Sequence, residues 1–322
     1  MGNKIFMVSV KAKSIKGKTY LYAEYSFRLP NGKINKISKI IKNRQDKEKE
    51  TIKEYFRKKE LGAYKKYAVD TYKTDQVFTE DTLGKIEAIK LGYKRLSRNL
   101  TKKQMSDILD RFSVNFTYES NAIEGNSLTL KDVTLILTER IVPKDKDLRE
   151  IYETRNSREA NGLLFKNKIK IEIKDIIRLH KILVKDTGVS FGFKKLPNFL
   201  LMRGVKTTKP QKVEGEMEKL VDWYNSLKGK YHPLKLAADF HGKFEKIHPF
   251  EDGNGRVGRV LINAILLNNG YPPLIIRKSM RVSYFSALEA YDHGYKAKFE
   301  RFLLDKFNKT FNNFFKVYIN YI

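Results

Sequence analysis

The chain has 322 residues, with 65 Lys/Arg against 37 Asp/Glu, a formal net charge of +28 and no cysteine. The length suits about two or three domains with a substantial core, and the lack of cysteine excludes a disulfide framework or a thiolate metal site. No apolar run approaches the roughly 18 residues needed to cross a bilayer, and Met1 to Val10 runs into Lys-rich sequence unlike a signal peptide, so a cytoplasmic protein with no membrane partner is expected.

The first 50 residues hold 13 Lys/Arg against 4 Asp/Glu. Three runs of alternating apolar and polar residues, Lys4 to Ala12, Lys18 to Leu29 and Ile34 to Ile41, predict a small antiparallel sheet. Asn31-Gly32 between the last two is a strong hairpin signal. Tyr20, Tyr22, Tyr25 and Phe27 lie in these runs. They read as the core of a small sheet; basic residues beside aromatics also permit contact with nucleic acid. Residues 45–66 predict a helix on the sheet, and residues 68–80 a connection. Residues 1–75 therefore read as a small basic domain of unknown role.

Thr79-Glu80-Asp81 opens a helix through about Leu96, with acids in its first turn, and Thr101 caps the next. Ser120-Asn121-Ala122-Ile123-Glu124-Gly125 reads locally as a helix end with an exposed acid and a glycine stop. Thr129 starts a helix through about Arg140, broken by Pro143. Arg149–Phe165 and Ile173–Val184 predict amphipathic helices, with His180 packed in the second. Residues 188–210 lose helical period, and Val213–Leu227 regains it around Trp223. The segment Leu234–Lys246 is helical in pattern.

The densest chemistry follows, in Ile247-His248-Pro249-Phe250-Glu251-Asp252-Gly253-Asn254-Gly255-Arg256-Val257-Gly258-Arg259. An apolar run, Val260 to Leu267, and the stop Asn268-Asn269-Gly270 come next, so the stretch reads as helix, glycine-rich loop, helix. Unpaired N–H groups at a helix start and the helix dipole favour an anion. Gly253 and Gly255 let a phosphate approach the backbone, and Arg256 and Arg259 leave the first turn on nearby faces. Asp252 can hold Mg2+ on phosphate oxygens, and His248 can take a proton from an attacking hydroxyl. Gly253 to Gly258 also fits GxGxxG, but a helix and Pro249 precede it where a strand is required, and residues 274–281 offer no acid. His241, seven residues before His248, lacks the i,i+4 partner of a zinc helix.

His-Pro-Phe-Glu-Asp-Gly-Asn-Gly-Arg-Val-Gly-Arg at 248–259 resembles the signature of the Fic-domain (Fido) family. The resemblance covers about residues 110–300. It implies a mainly α fold: a Fic-type helical bundle over residues 76–300 with a short β-hairpin flap, preceded by the small sheet and helix and followed by a C-terminal helix, 301–322. It implies a protein adenylyltransferase that moves AMP from ATP, with Mg2+, onto a Ser, Thr or Tyr hydroxyl of a target protein or of itself. By position, His248 is the general base, Phe250 a core anchor and Asp252 the Mg2+ ligand. Gly253, Asn254, Gly255, Arg256, Val257, Gly258 and Arg259 form the nucleotide loop, with Asn254 and the loop amides on the α-phosphate and the arginines on the outer phosphates. Family kinases carry Lys where this chain has Gly255.

Ser120, Glu124 and Gly125 match the family's (S/T)xxxE(G/N) inhibitory helix, placed here near 115–125. The resemblance implies that Glu124 takes a salt bridge from Arg259 and withholds it from the γ-phosphate. Leu200, Leu201, Met202 and Arg203 fall where the flap lies, although Gly192-Phe193-Lys194 replaces the Gly-aromatic-Arg that often precedes it. Tyr284, Phe285 and Asp292 match places around the adenine, Asp292 standing where Asn is frequent. The Phe/Tyr-rich tail reads as a docked helix or a homodimer contact. De-AMPylation, another nucleotidyl or phosphocholine transfer, and a nucleic-acid-binding regulator are the competing readings.

Overall fold

The computed structural model describes residues 8–198 and 206–319. They form two compact units, one ending at Thr101 and one beginning at Lys102.

The first unit is a three-stranded antiparallel sheet in order β1(Ser9–Ile15)-β2(Lys18–Arg28)-β3(Ile34–Ile41), followed by α1(Glu50–Thr71) and α2(Glu80–Asn99). β1 runs past Ala12, the end that the alternation predicts, to Ile15, and the expected start at Lys4 lies outside the described residues. Its hairpin closes on Lys16 and Gly17, at φ 50° and 75°, with Ile15 paired to Lys18; two consecutive left-handed residues make the tight turn whose twist matches the strands. The odd-numbered residues of β2, Ala23, Tyr25 and Phe27, bury one face against Ile52, Phe56 and Tyr64 of α1. The Tyr25 hydroxyl donates to Glu60 at 2.9 Å across that interface. Helix α1 continues to Thr71, into the stretch expected to be a connection, and Leu91 of α2 joins the same core, so this unit extends past residue 75.

The second unit is helical: α3(Lys102–Ile123), α4(Leu130–Thr134), α5(Leu148–Phe165), α6(Ile173–Leu183), α7(Val213–Leu227), α8(Pro233–Ile247), α9(Asn254–Asn268), α10(Arg281–Asp292), α11(Lys296–Thr310) and α12(Lys316–Ile319). The helix expected from Thr129 to Arg140 keeps α geometry only to Thr134. It widens into a π turn over Leu135–Glu139 and stops where Arg140 turns left-handed, φ 59°. The tail is also divided, by a π turn at Phe311–Phe315.

Helix α9 is the axis of this unit. Residues Val257 to Leu266 are buried all round, as expected of a helix without a polar face. Helix α8 packs beside it, joined by the sharp turn at 248–253, and α3, α5 and α6 also contact it. Asn263 fixes the chain after α9 by exchanging two hydrogen bonds with the Leu274 backbone, at 2.8 and 3.0 Å.

Candidate functional site

The turn between α8 and α9 is shaped by its own side chains. His248 ends α8 in the left-handed region, φ 50° and ψ 62°. Gly253 begins α9 with φ 80° and no side-chain cap, which leaves the first-turn N–H groups unclaimed by a capping residue. Between them Asn254 closes the loop: its Oδ1 accepts from the Phe250 N–H at 2.9 Å and its Nδ2 donates to the Phe250 carbonyl at 2.8 Å. The Asn254 side chain is thus buried and bonded inside the loop, and the group it leaves toward a ligand is its backbone amide.

Phe250 is fully buried and stacks on His180 at 3.8 Å between ring centroids. His180 Nε2 lies 3.0 Å from the Asp252 carbonyl, and Nδ1 accepts from the Gly192 N–H at 3.2 Å. Nε2 therefore carries the proton. Burial pushes this imidazole down to about 4, which keeps it neutral. It holds the loop from beneath and faces away from any reaction.

His248 itself is 16 % exposed, and its Nδ1 lies 3.7 Å from Glu245 Oε2. Glu245, one turn back on α8, is buried. A carboxylate there can orient the ring and steady a charge on it.

Asp252 is half-exposed. Its carboxylate meets the Arg149 guanidinium, and Arg256 Nη2 stands 3.5 Å away. Glu153, on α5 with Arg149, lies 3.1 Å from Arg256 Nη1. Two arginines and two acids from α5 and the loop form one alternating network. Nothing in the sequence marked Arg149 or Glu153, because they lie about a hundred residues from the loop and belong to an ordinary amphipathic pattern.

Arg259 is buried and held by α3. Its Nε donates to Ser120 Oγ at 2.9 Å, and its Nη2 donates to the Ser120 carbonyl at 2.8 Å and to Glu124 Oε1 at 2.7 Å. Burial is the strongest single influence and acts to lower this guanidinium, but Glu124, Tyr284 and Glu245 together outweigh it and hold the group above its ordinary value. Arg259 Nη1 and Arg256 Nε are buried with no hydrogen-bond partner among the described residues. Buried donors without acceptors mark a place where an anion is wanted.

The expected adenine residues are divided. Tyr284 is fully buried, with its hydroxyl 2.6 Å from His241 Nε2 and its ring 5.9 Å from the Arg259 guanidinium. It packs behind the arginine. Phe285 is partly exposed beneath Arg281, at 5.2 Å, and Asp292 ends α10. Val257 and Gly258 are inside α9, where a Cβ on Gly258 would stand 2.7 Å from the His241 ring.

Leu200, Leu201, Met202 and Arg203 lie outside the described residues. The chain on either side of them is anchored to the loop. Phe193 pairs with Phe250 as an isolated antiparallel bridge, and the Lys194 N–H donates to the Pro249 carbonyl at 2.9 Å. The Lys194 ammonium, pushed down to about 8 by burial, donates to Asn198 Oδ1 and Thr207 Oγ1 at 2.7 and 3.0 Å. Thr207 in turn donates to the Asn198 carbonyl, and Asn198 Nδ2 to the Phe250 carbonyl. Lys194, Asn198 and Thr207 are functional candidates that periodicity did not single out.

Residues 170–266 match the model of the Fic/DOC family. The chain is 35% identical over 198 residues to a protein adenylyltransferase Fic of Drosophila willistoni, covering 60% of this chain and 40% of that protein. It is 35% identical over 192 residues to the protein of that name from Nematostella vectensis, covering 58% of this chain and 45% of that one. The chain thus spans less than half the length of these relatives. Among solved structures, a Fic domain containing signaling protein from Bacteroides thetaiotaomicron superposes with TM-score 0.65 at 27% identity, over 72% of this chain and 96% of that one. A Fic family protein from Desulfovibrio desulfuricans gives 0.64 at 25%, over 77% and 76%.

Proposed function

We propose, on the premise that this chain belongs to the Fic/DOC family, that it is a protein adenylyltransferase restrained by its own Glu124. The observation that carries the reading is the pair of buried arginines at the start of α9, with Arg256 Nε and Arg259 Nη1 lacking acceptors among the described residues, beside a histidine backed by a carboxylate.

ATP phosphates sit on the loop amides of Gly253 to Gly255, with Arg256 and Arg259 on the outer phosphates. Asp252 would hold Mg2+. One half-exposed carboxylate suits that ion, which keeps waters and relies on substrate phosphates, and its charge would offset that of the phosphates when bound. The hydroxyl of a target Ser, Thr or Tyr gives its proton to His248 Nε2, since Nδ1 faces Glu245. The hydroxyl oxygen then bonds to the α-phosphorus, and the bond to the leaving pyrophosphate breaks. Glu245 steadies the imidazolium. Phe193 and Lys194, bridged to Phe250 and Pro249 beside the histidine, offer a strand-like edge at which a target backbone would be received. Catalysis is mainly positioning and charge neutralisation.

The test is transfer of α-labelled AMP followed by mass spectrometry of the modified protein. His248→Ala is expected to lower transfer by roughly 10²–10⁴-fold. Undiminished transfer by that variant would remove the histidine from the chemistry.

A further inference from the structure

We propose that the outer face of the N-terminal sheet docks duplex DNA, with the sheet lying in the major groove. The sheet has two unlike faces. Ala23, Tyr25 and Phe27 point into the core beneath α1. The strand residues of opposite parity point outward, and the pairing of Lys11 with Tyr22 and of Tyr22 with Ile40 puts them on a common surface. That surface carries Lys11, Lys13, Lys18, Arg28 and Lys36, all exposed.

From Ser9 to Arg44 there are ten Lys/Arg and a single acid, Glu24. Glu24 offsets only one of these charges, and at 3 % exposure it lies beneath the lysines rather than beside them at the surface. Lys36, Lys13 and Lys11 close over it at 2.8, 3.2 and 3.6 Å. One central carboxylate therefore gathers ammonium groups from both outer strands onto the middle strand. Such a fixed cationic array fits a polyanion with closely spaced charges.

Dimensions and chemistry favour duplex DNA. The axes of the two outer strands stand about 10 Å apart, so the rows of side chains they carry span a distance close to the roughly 12 Å width of the B-form major groove. Duplex RNA presents a deep, narrow major groove instead. Single-stranded nucleic acid needs successive open aromatic faces for stacking, whereas this face offers Tyr20 exposed and a Tyr22 ring covered by the Lys13 ammonium at 4.8 Å. The exposed Ile34 and Ile40 are separated by Lys36 and Ser38 along β3. They form no continuous apolar patch for a bilayer, but each can meet a thymine methyl.

The test uses the full chain and a fluorescent mixed-sequence 24-bp duplex, titrated by anisotropy across a salt series. The wild type is expected to lose affinity with a log–log slope near −0.9 for each phosphate neutralised. The pair K18Q/R28Q, which leaves Glu24 and its lysines intact, should weaken binding about tenfold or more near physiological salt and reduce the slope by about 2. K11Q/K13Q/K36Q should weaken it further. K102Q/K103Q, the same kind of charge loss at exposed residues of α3, should leave binding unchanged, and thermal midpoints confirm that all variants fold. Three results would overturn the proposal: face variants that bind like wild type, an equal loss in the α3 control, or anionic vesicles that engage the same residues while the duplex does not.

Discussion

Gly255 and Glu124 share space that only a hydrogen atom permits. A Cβ on Gly255 would stand 2.1 Å from Glu124 Oε1 and 2.9 Å from Arg259 Nη1. The acid just past the end of α3 reaches the arginine of α9 across the bare face of that glycine, so the proposed restraint would need three residues rather than two.

Gly255→Ala is therefore expected to expel the Glu124 carboxylate, since the far end of a flexible side chain yields more readily than backbone. In the wild-type background the added methyl should cost about 1–3 kcal/mol; in Glu124→Gly, where the close contact with Arg259 Nη1 remains, it should cost less. A denaturant double-mutant cycle reads this coupling, and equal costs in both backgrounds would separate the two residues.

Glu124→Gly should raise AMP transfer roughly 30- to 150-fold, as for a blocked state favoured by about 2–3 kcal/mol. Ser120→Ala removes the acceptor of Arg259 Nε only, and should give a smaller rise, on the order of fivefold. Steady-state transfer of α-labelled AMP distinguishes them. A Ser120→Ala effect equal to that of Glu124→Gly would mean that α3 acts by displacement as a whole.

Arg149 occupies the carboxylate that would take Mg2+. With both side chains about half exposed, the interaction is worth less than about 1 kcal/mol. Arg149→Gln in the Glu124→Gly background should lower the Mg2+ concentration needed for ATP binding by roughly two- to fivefold. Calorimetric titration of Mg2+ with ATP present checks this; weaker binding would assign Arg149 to the nucleotide.

The His180 imidazole gives a pH dependence of known sign. Its value falls from 6.5 to about 4 in the fold, so the unfolded chain takes up a proton first as pH drops. Stability from this group is complete above about 6.5, declines between 6.5 and 4, and levels off below, a loss on the order of 3 kcal/mol. Urea midpoints between pH 8 and 4 should fall more steeply for wild type than for His180→Gln. Parallel profiles would place the dependence elsewhere.

The helix–turn–helix around 248–259 was legible because glycines, asparagine and an apolar run each carry a local signal. Val213–Leu227 and Ile34–Ile41 appear with the boundaries their periodicity implied. The first hairpin was not legible, since Lys16-Gly17 lies inside a basic run and carries a weaker turn signature than Asn31-Gly32. The π turns were invisible for a related reason: a single extra residue per turn hardly disturbs an apolar repeat. Arg149, Glu153 and Glu245 become site residues only through packing of α5 and α8 on the loop. The apposition of Glu124 and Arg259 was implied by resemblance, but the glycine between them required coordinates.

The Lys194 ammonium fastens Asn198 and Thr207 to each other and to the loop that bears His248. The ammonium and the Asn198 amide thus reach the carbonyls of Ile247 and Phe250, which stand on either side of the His248–Pro249 pair. Under the adenylyltransferase reading, exchanging Lys194 would disturb the proton acceptor along with Asn198 and Thr207, so these positions are bound to one another in any change the enzyme undergoes.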